Sequence, residues 1–437
     1  MPESPGLKKA IRPVHLWAIS VGLVISGEYF GWNYGWGVAG PLGLLLATGI
    51  ITLLYISFIF SFTELTTAIP KAGGPFTYAQ RALGPIGGLV AGYATLIEFL
   101  LATPAIAVAL GNYLHFLHPG LPVLGTGIVV YILLTGVNLL GIKESAGFTL
   151  LFTLLAVVEL LVYFGIVGPH FKMEHFLQDS LPFGASGVFA ALPFAIWLYV
   201  CIEGVAMVAE EVKDPARTIP IGYISGILTL VLLAITVMVL TGGITNWRAL
   251  ADIDYPLPAA IGVILGRDSG ITKIFAGIGL FGLIASFNGI IIGYSRQLFA
   301  LAREGYLPAI LARISRRRQT PYAALIAGAG AGIVAVCLGK TEQLVILSVL
   351  GAIVMYILSM ISLFVLRKKE PDLLRPFKAP LYPWFPAIAL VLSGVSLFAI
   401  VWYNPWLSAL FLAGLVLVYG CFILLKKNAE QPGDSPA

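Results

Sequence analysis

Val21-Gly22-Leu23-Val24-Ile25-Ser26-Gly27-Glu28-Tyr29-Phe30-Gly31-Trp32-Asn33-Tyr34-Gly35-Trp36-Gly37 lies within an apolar run, yet it carries five glycines, a glutamate and an asparagine. In hydrocarbon every backbone N–H and C=O must find a partner within the protein. A polar, glycine-rich interruption at mid-depth therefore predicts a helix that unwinds where its freed backbone groups, or the cargo, supply the missing bonds. A second stretch repeats the pattern: Pro193 precedes Trp197-Leu198-Tyr199-Val200-Cys201-Ile202-Glu203-Gly204, again with an acid at mid-depth. Interrupted spans at matching places in two halves predict two five-helix units with a ligand held between the breaks.

The rest of the chain agrees with a bilayer setting. Of 437 residues, 59% are hydrophobic and only 11% charged, and the mean hydropathy is +0.94. Soluble, disordered and coiled-coil classes are excluded by that balance. Twelve apolar runs are long enough to span as helices, at 15–40, 42–64, 86–114, 122–141, 147–168, 187–211, 219–243, 270–302, 321–338, 342–366, 384–402 and 405–425. None shows the alternation of a membrane strand, so the fold class is an all-α membrane protein.

Charge sets the expected orientation. With the termini on the cytoplasmic side of the cell (inner) membrane, 21 of the 26 Lys and Arg fall there, and only Lys172, Arg248, Arg267, Lys273 and Lys340 fall outside. Segments 1–14 and 426–437 are then cytoplasmic. The net charge of +5 reflects this topology, not a polyanion site, and no nucleic-acid partner is expected. The basic start, Lys8, Lys9 and Arg12, resembles a signal peptide, but the apolar run continues past residue 40 and reads as a retained span. Cys201, Cys337 and Cys421 all lie in apolar runs with no loops to staple. The five histidines, His15, His115, His118, His170 and His175, sit at span ends or in loops, which speaks against a metal centre, a cofactor and an embedded enzyme.

Five motifs resemble the amino acid–polyamine–organocation superfamily of secondary transporters. They are Glu64-Leu65 through Ala68-Ile69-Pro70-Lys71-Ala72-Gly73-Gly74 with Tyr78 and Ala82-Leu83-Gly84; Glu210-Glu211-Val212-Lys213-Asp214-Pro215-Ala216-Arg217 with Ile219-Pro220; Arg303-Glu304-Gly305-Tyr306-Leu307-Pro308; Thr320-Pro321; and Arg375-Pro376-Phe377-Lys378-Ala379-Pro380. Within it, Val24 to Asn33, Ile97-Glu98-Phe99 with Pro104 to Ala107, Pro193 to Trp197 with Ile202-Glu203-Gly204, and Phe281 to Phe287 are similar to the ethanolamine permease branch. The resemblance implies twelve transmembrane helices in a LeuT-like 5+5 inverted repeat with helices 1 and 6 broken. The repeats would span 15–168 and 187–366, with 384–425 added.

Amino-acid carriers of this superfamily have a Gly-Ser-Gly-like stretch at the first break, whose bare amides receive a carboxylate. Here the matching stretch is Gly31-Trp32-Asn33, with Glu28 one turn earlier. A cargo carboxylate is crowded and repelled, whereas an ammonium can pair with an acid and lie against Tyr29, Trp32, Trp197 or Tyr199, at about 0.5 to 2 kcal/mol per ring. The acids within spans are functional candidates by default, because burying one costs about 2.5 to 3.5 kcal/mol on insertion scales. Glu28 reads as a cargo contact or a bond to unwound backbone, Glu203 as a cargo contact or a gating bond, and Glu98 as a cargo contact or a helix–helix bond. Asn33, Ser286, Asn288 and Thr103 are candidates for a cargo hydroxyl, or for interhelical glue. Trp36 reads as part of an outer aromatic belt.

Related proton-coupled carriers have a lysine in the fifth span. Ala156 takes that position here, and Glu159, one turn on, is the candidate proton carrier or a structural acid. A monocation needs no coupling ion, since a potential of 100 mV drives about 2.3 kcal/mol per charge inward. The expected function is therefore import of a small organic amine, first of all ethanolamine, by alternating access. The alternatives are a proton-coupled amino acid symporter or exchanger of the same superfamily, a channel, or a membrane-embedded enzyme.

Overall fold

The computed structural model describes residues 9–430 and, within them, every side chain outside 142–146 and 424–430. Of the two expected cytoplasmic ends, residues 1–8 and 431–437 lie outside the described residues, as do the side chains of Lys143, Lys426 and Lys427. The described chain is all-helical: α1 (Pro13–Val24), α2 (Ser26–Tyr29), α3 (Tyr34–Ala68), α4 (Pro75–Leu117), α5 (Val123–Leu140), α6 (Ile142–Val167), α7 (Met173–Leu177), α8 (Gly184–Ala190), α9 (Leu192–Trp197), α10 (Pro215–Gly242), α11 (Pro256–Leu265), α12 (Gly270–Arg303), α13 (Tyr322–Leu338), α14 (Thr341–Lys369), α15 (Trp384–Tyr403) and α16 (Pro405–Glu430). Among the described residues, ten helices are long and apolar enough to cross a membrane, and α11 and α13 are shorter apolar helices. Large apolar side chains such as Leu133, Leu232, Trp402 and Leu417 point outward, as lipid contact requires of a multi-pass membrane protein.

Two of the helices longer than one bilayer crossing bend where sequence permits it. α3 has 35 residues, about 50 Å of helix. Its Gly40 stands at φ 71° and ψ 174° just before Pro41, which divides it into two rods. A side chain there would be strained and would also strike the Ser180 carbonyl at 2.6 Å. α4, 43 residues long, divides in the same way at Gly84 before Pro85. α11 was not foreseen as an element, and α16 runs five residues past the expected end at 425.

The helix is interrupted at both stretches singled out above. After α2, Phe30 is fully extended and Gly31 adopts φ +89°. After α9, residues 198–201 leave the helix, Cys201 takes a left-handed φ of 72°, and a 3-10 segment, Ile202–Glu211, follows. The breaks touch one another. A Cβ on Gly27 would lie 2.6 Å from the Trp197 carbonyl, and one on Gly31 would collide with the Trp197 indole. Around them α12 packs against α4, α6 and α1, while α14 lies along α4.

At the end of the bundle where the basic residues gather, the chain start joins the second broken helix. Ala10 and Ile11 donate their N–H groups to the Glu211 carbonyl at 2.9 and 3.0 Å, and the Lys213 N–H returns to the Ile11 carbonyl. The Glu211 carboxylate accepts the Arg296 Nε at 3.0 Å in a pair almost without solvent contact. Trp36 corrects one expectation. It is fully buried and meets the Trp32 ring edge-on at 4.8 Å, so it fills the interior of the chain instead of forming an outer belt.

Candidate functional site

An unwound helix must account for each backbone group it frees, and at the first break protein side chains take them. The Tyr113 hydroxyl donates to the Tyr29 carbonyl, the Trp197 Nε1 to the Phe30 carbonyl at 2.9 Å, and the Trp32 Nε1 to the Glu28 carbonyl at 3.1 Å. The Gly31 N–H donates to Asn33 Oδ1 at 3.0 Å. Asn33 then uses its Nδ2 on the carbonyls of Leu250 and Ile253, at 2.7 and 2.8 Å. Asn33 thus ties the break to the loop before α11, and its polar atoms are engaged.

Glu28 stands apart. It is fully buried, and neither carboxyl oxygen has a hydrogen-bond partner among the described residues. Its neighbour Tyr29 turns the other way, donating its hydroxyl to Glu159 Oε2 at 2.6 Å and to the Ala156 carbonyl at 3.1 Å. The second Glu159 oxygen is buried and unpartnered. Successive residues on one helical turn thus present an unpaired acid to one side and a hydrogen-bonded phenol to the other.

At the second break two more acids meet. Glu98, from α4, accepts the Cys201 N–H at 3.1 Å, and Glu203 accepts the Tyr356 hydroxyl at 3.0 Å. Ligand atoms of Glu98, Cys201 and Glu203 all lie within 4.8 Å of one another, and one oxygen of each acid remains unpartnered. Two carboxyl groups this close in an apolar setting cannot both carry charge, so the pair holds a proton or a cation between them. A row of tyrosines runs from there: Tyr356 to Tyr55 at 2.8 Å between hydroxyls, Tyr55 to Tyr199 with ring centroids 5.1 Å apart, and Tyr199 to the Thr52 hydroxyl.

The structure therefore gathers Glu28, Trp32, Trp197 and Tyr199 at the breaks, with Glu98 and Glu203 beside the second. Ser286 joins them as a brace, bonding the Leu23 carbonyl at 2.6 Å and the Ser26 hydroxyl at 2.8 Å. Asn288 faces away, bridging Thr149 and Asn138 on neighbouring helices. Thr103 receives the Tyr131 hydroxyl. Sequence reasoning missed Tyr55 and Tyr356, since no pattern distinguishes tyrosines beside the breaks from packing ones, and it quoted Cys201 within the second break without a role. It also missed the Arg296–Glu211 pair, although an arginine inside a run as apolar as 270–302 is itself such a signal.

On the opposite end of the bundle Asp254 is clamped by three donors, Tyr34 Oη at 2.5 Å, Asn112 Nδ2 at 2.9 Å and Thr341 Oγ1 at 3.2 Å. Burial holds its carboxyl above the ordinary aspartate range, the bonds from Tyr34 and Thr341 oppose that, and Asp252 adds to it. The protonated form is thus favoured in the folded chain. The stability it contributes is present below the unfolded pKa and is lost as pH rises through the folded one. Asp254→Asn removes this dependence: as pH rises above about 4, the ordinary aspartate range, the thermal midpoint of the parent should fall relative to that of the variant. Parallel curves would contradict the assignment.

The family model described as "Amino acid permease" matches residues 11–426. An uncharacterized transporter of Rhizobium meliloti (strain 1021) is 29% identical over 422 residues, covering 94% of this chain and 90% of that protein. The branched-chain amino acid permease BcaP of Bacillus subtilis (strain 168) is 26% identical over 455 residues, covering 97% and 94%. The serine/threonine exchanger SteT of the same organism is 24% identical over 406 residues, covering 89% and 90%.

Proposed function

Since the chain belongs to the amino acid permease family, and is a transporter of amino acids or related organic molecules, not an enzyme, we propose that its cargo is a small organic amine, with ethanolamine first. The observation that carries this reading is the Glu28 carboxyl, fully buried and without a hydrogen-bond partner among the described residues. A buried carboxylate left unpaired is costly, and a cargo ammonium removes that cost. In this reading the ammonium pairs with Glu28 near the Tyr199 ring, and the Glu98–Glu203 pair, holding one proton between its carboxyls, adds a single further negative charge beside the second break. Trp32, Trp197, Asn33 and Ser286 brace the first break, Tyr29 links it to Glu159, and Asn288, proposed from sequence as a cargo contact, ties neighbouring helices instead.

The arrangement proposed is twelve spans in two inverted repeats, 15–168 and 187–366, with 384–425 added and both termini in the cytoplasm of an inner membrane. The two helix interruptions and the basic end of the bundle support it. Glu159 is the proposed proton carrier if transport is coupled. Tyr29 would link it to the first break, although the membrane potential alone suffices for a monocation.

An amino acid cargo is the second reading, favoured by the names of the Bacillus subtilis relatives. Against it, the Gly31 amide that would greet a carboxylate is occupied by Asn33, and Glu28 repels one. In proteoliposomes the protein should show counterflow of labelled ethanolamine that unlabelled ethanolamine accelerates and alanine does not. Equal competition by alanine would overturn the amine reading, and loss of exchange acceleration would point to a channel.

A further inference from the structure

The Arg375–Pro380 motif is not used by the transport site, and the structure gives it a form of its own. Arg375 is nearly buried, donating to the carbonyls of Leu366, Glu370, Pro371 and Leu373 and forming an ion pair with Glu64 Oε1 at 3.1 Å. Glu64 also takes a two-pronged contact from Arg367, at 2.9 and 2.5 Å, and the Ala379 N–H at 2.7 Å. Two guanidinium groups share one carboxylate, so the cluster keeps a positive excess. Its open side is a cavity of about 490 Å³ between the end of α14 and the start of α15, lined by Arg367, Arg375, Lys378, Asp372 and leucines 373 and 374. Lys378 is exposed and has no carboxylate partner among the described residues.

The surroundings of the cavity are apolar and outward-facing. Leu374 is 79% exposed, Leu381 67% and Trp384 69%, and the Tyr382 ring lies 3.7 Å under the Arg367 guanidinium. Further along α15, Val391 and Phe398 continue the same exposed apolar character. A soluble anion would explain the cations but leave these side chains facing water. An amphiphile with a negative head and apolar tails satisfies both. Cations at the membrane surface attract acidic lipid heads, while tryptophan and tyrosine favour that same depth.

We propose that this cavity binds the headgroup of an anionic phospholipid from the leaflet on the basic face, with its chains along α15. The lipid phosphate supplies the charge that Glu64 and Asp372 leave unmatched, and it closes the loop that joins α14 to α15. The claim stands independently of the cargo.

The test is a titration of the purified full chain with phosphatidylglycerol or phosphatidylcholine, read by native mass spectrometry and by thermal midpoint. Phosphatidylglycerol should bind and raise the midpoint, and phosphatidylcholine should not. Lys378→Gln should weaken phosphatidylglycerol binding about fivefold, the share of one interfacial cation, and Lys378→Arg should restore it. Because Lys378 supports no ion pair in the protein, both variants are expected to fold. Wild-type behaviour of Lys378→Gln, or equal binding of both lipids, overturns the proposal. Glycerol phosphate in solution stabilising the chain as well as the lipid does also overturns it, in favour of a free-anion site.

Discussion

Glu28→Gln should weaken ethanolamine binding by about tenfold to a hundredfold, the loss of roughly 1.5–3 kcal/mol expected when a hydrogen bond to a charged group is removed. It should do so without lowering the thermal midpoint. The asymmetry is the informative part. If Glu28 served to hold the unwound helix, the substitution would break a bond and destabilise the chain. Instead both carboxyl oxygens lack partners and the freed carbonyls nearby are bonded by Trp32, Trp197 and Tyr113. Exchanging one unpaired buried polar group for another of the same shape breaks no bond, so the midpoint should hold. Binding measured by scintillation proximity, alongside a thermal shift on the same sample, separates the two. Unchanged affinity, or a lowered midpoint, would remove Glu28 from the cargo's path.

Much of the fold was legible because hydrocarbon imposes one rule on every span. The breaks announced themselves through glycine and buried acid at Ser26 to Gly35 and Trp197 to Gly204. What composition does not carry is direction and distance. Glu28 and Tyr29 are neighbours with similar promise in sequence, yet the turn leaves one without a hydrogen-bond partner among the described residues and sends the other to Glu159. Asn33 reads as a cargo group until its partners, the carbonyls of Leu250 and Ile253, arrive from more than 200 residues away. Ser286 and Asn288, two residues apart, bond different helices for the same reason. Periodicity fixes which residues share a face, but not what that face meets.

Arg296→Met should destabilise the chain by about 3–5 kcal/mol, because it strands the Glu211 carboxylate where water does not reach. The double substitution Arg296→Met with Glu211→Leu should recover most of that loss, since an apolar pair of similar size carries no desolvation penalty. Transport is expected to respond differently. Under the alternating access expected from the sequence the basic end of the bundle would part, and there the Arg296–Glu211 pair, with the Ala10 and Ile11 N–H groups on the Glu211 carbonyl, ties the chain together. Charges that separate are repaid by hydration, whereas apolar side chains that separate expose surface at about 25 cal/mol per Å². The double variant should therefore be stable and slow, with ethanolamine bound normally from the opposite side but released poorly into the lumen of proteoliposomes whose basic end faces inward. If transport returned along with stability, the pair would be a packing element, and the gate would have to be sought in the remaining contacts of the chain start with Val212 and Lys213.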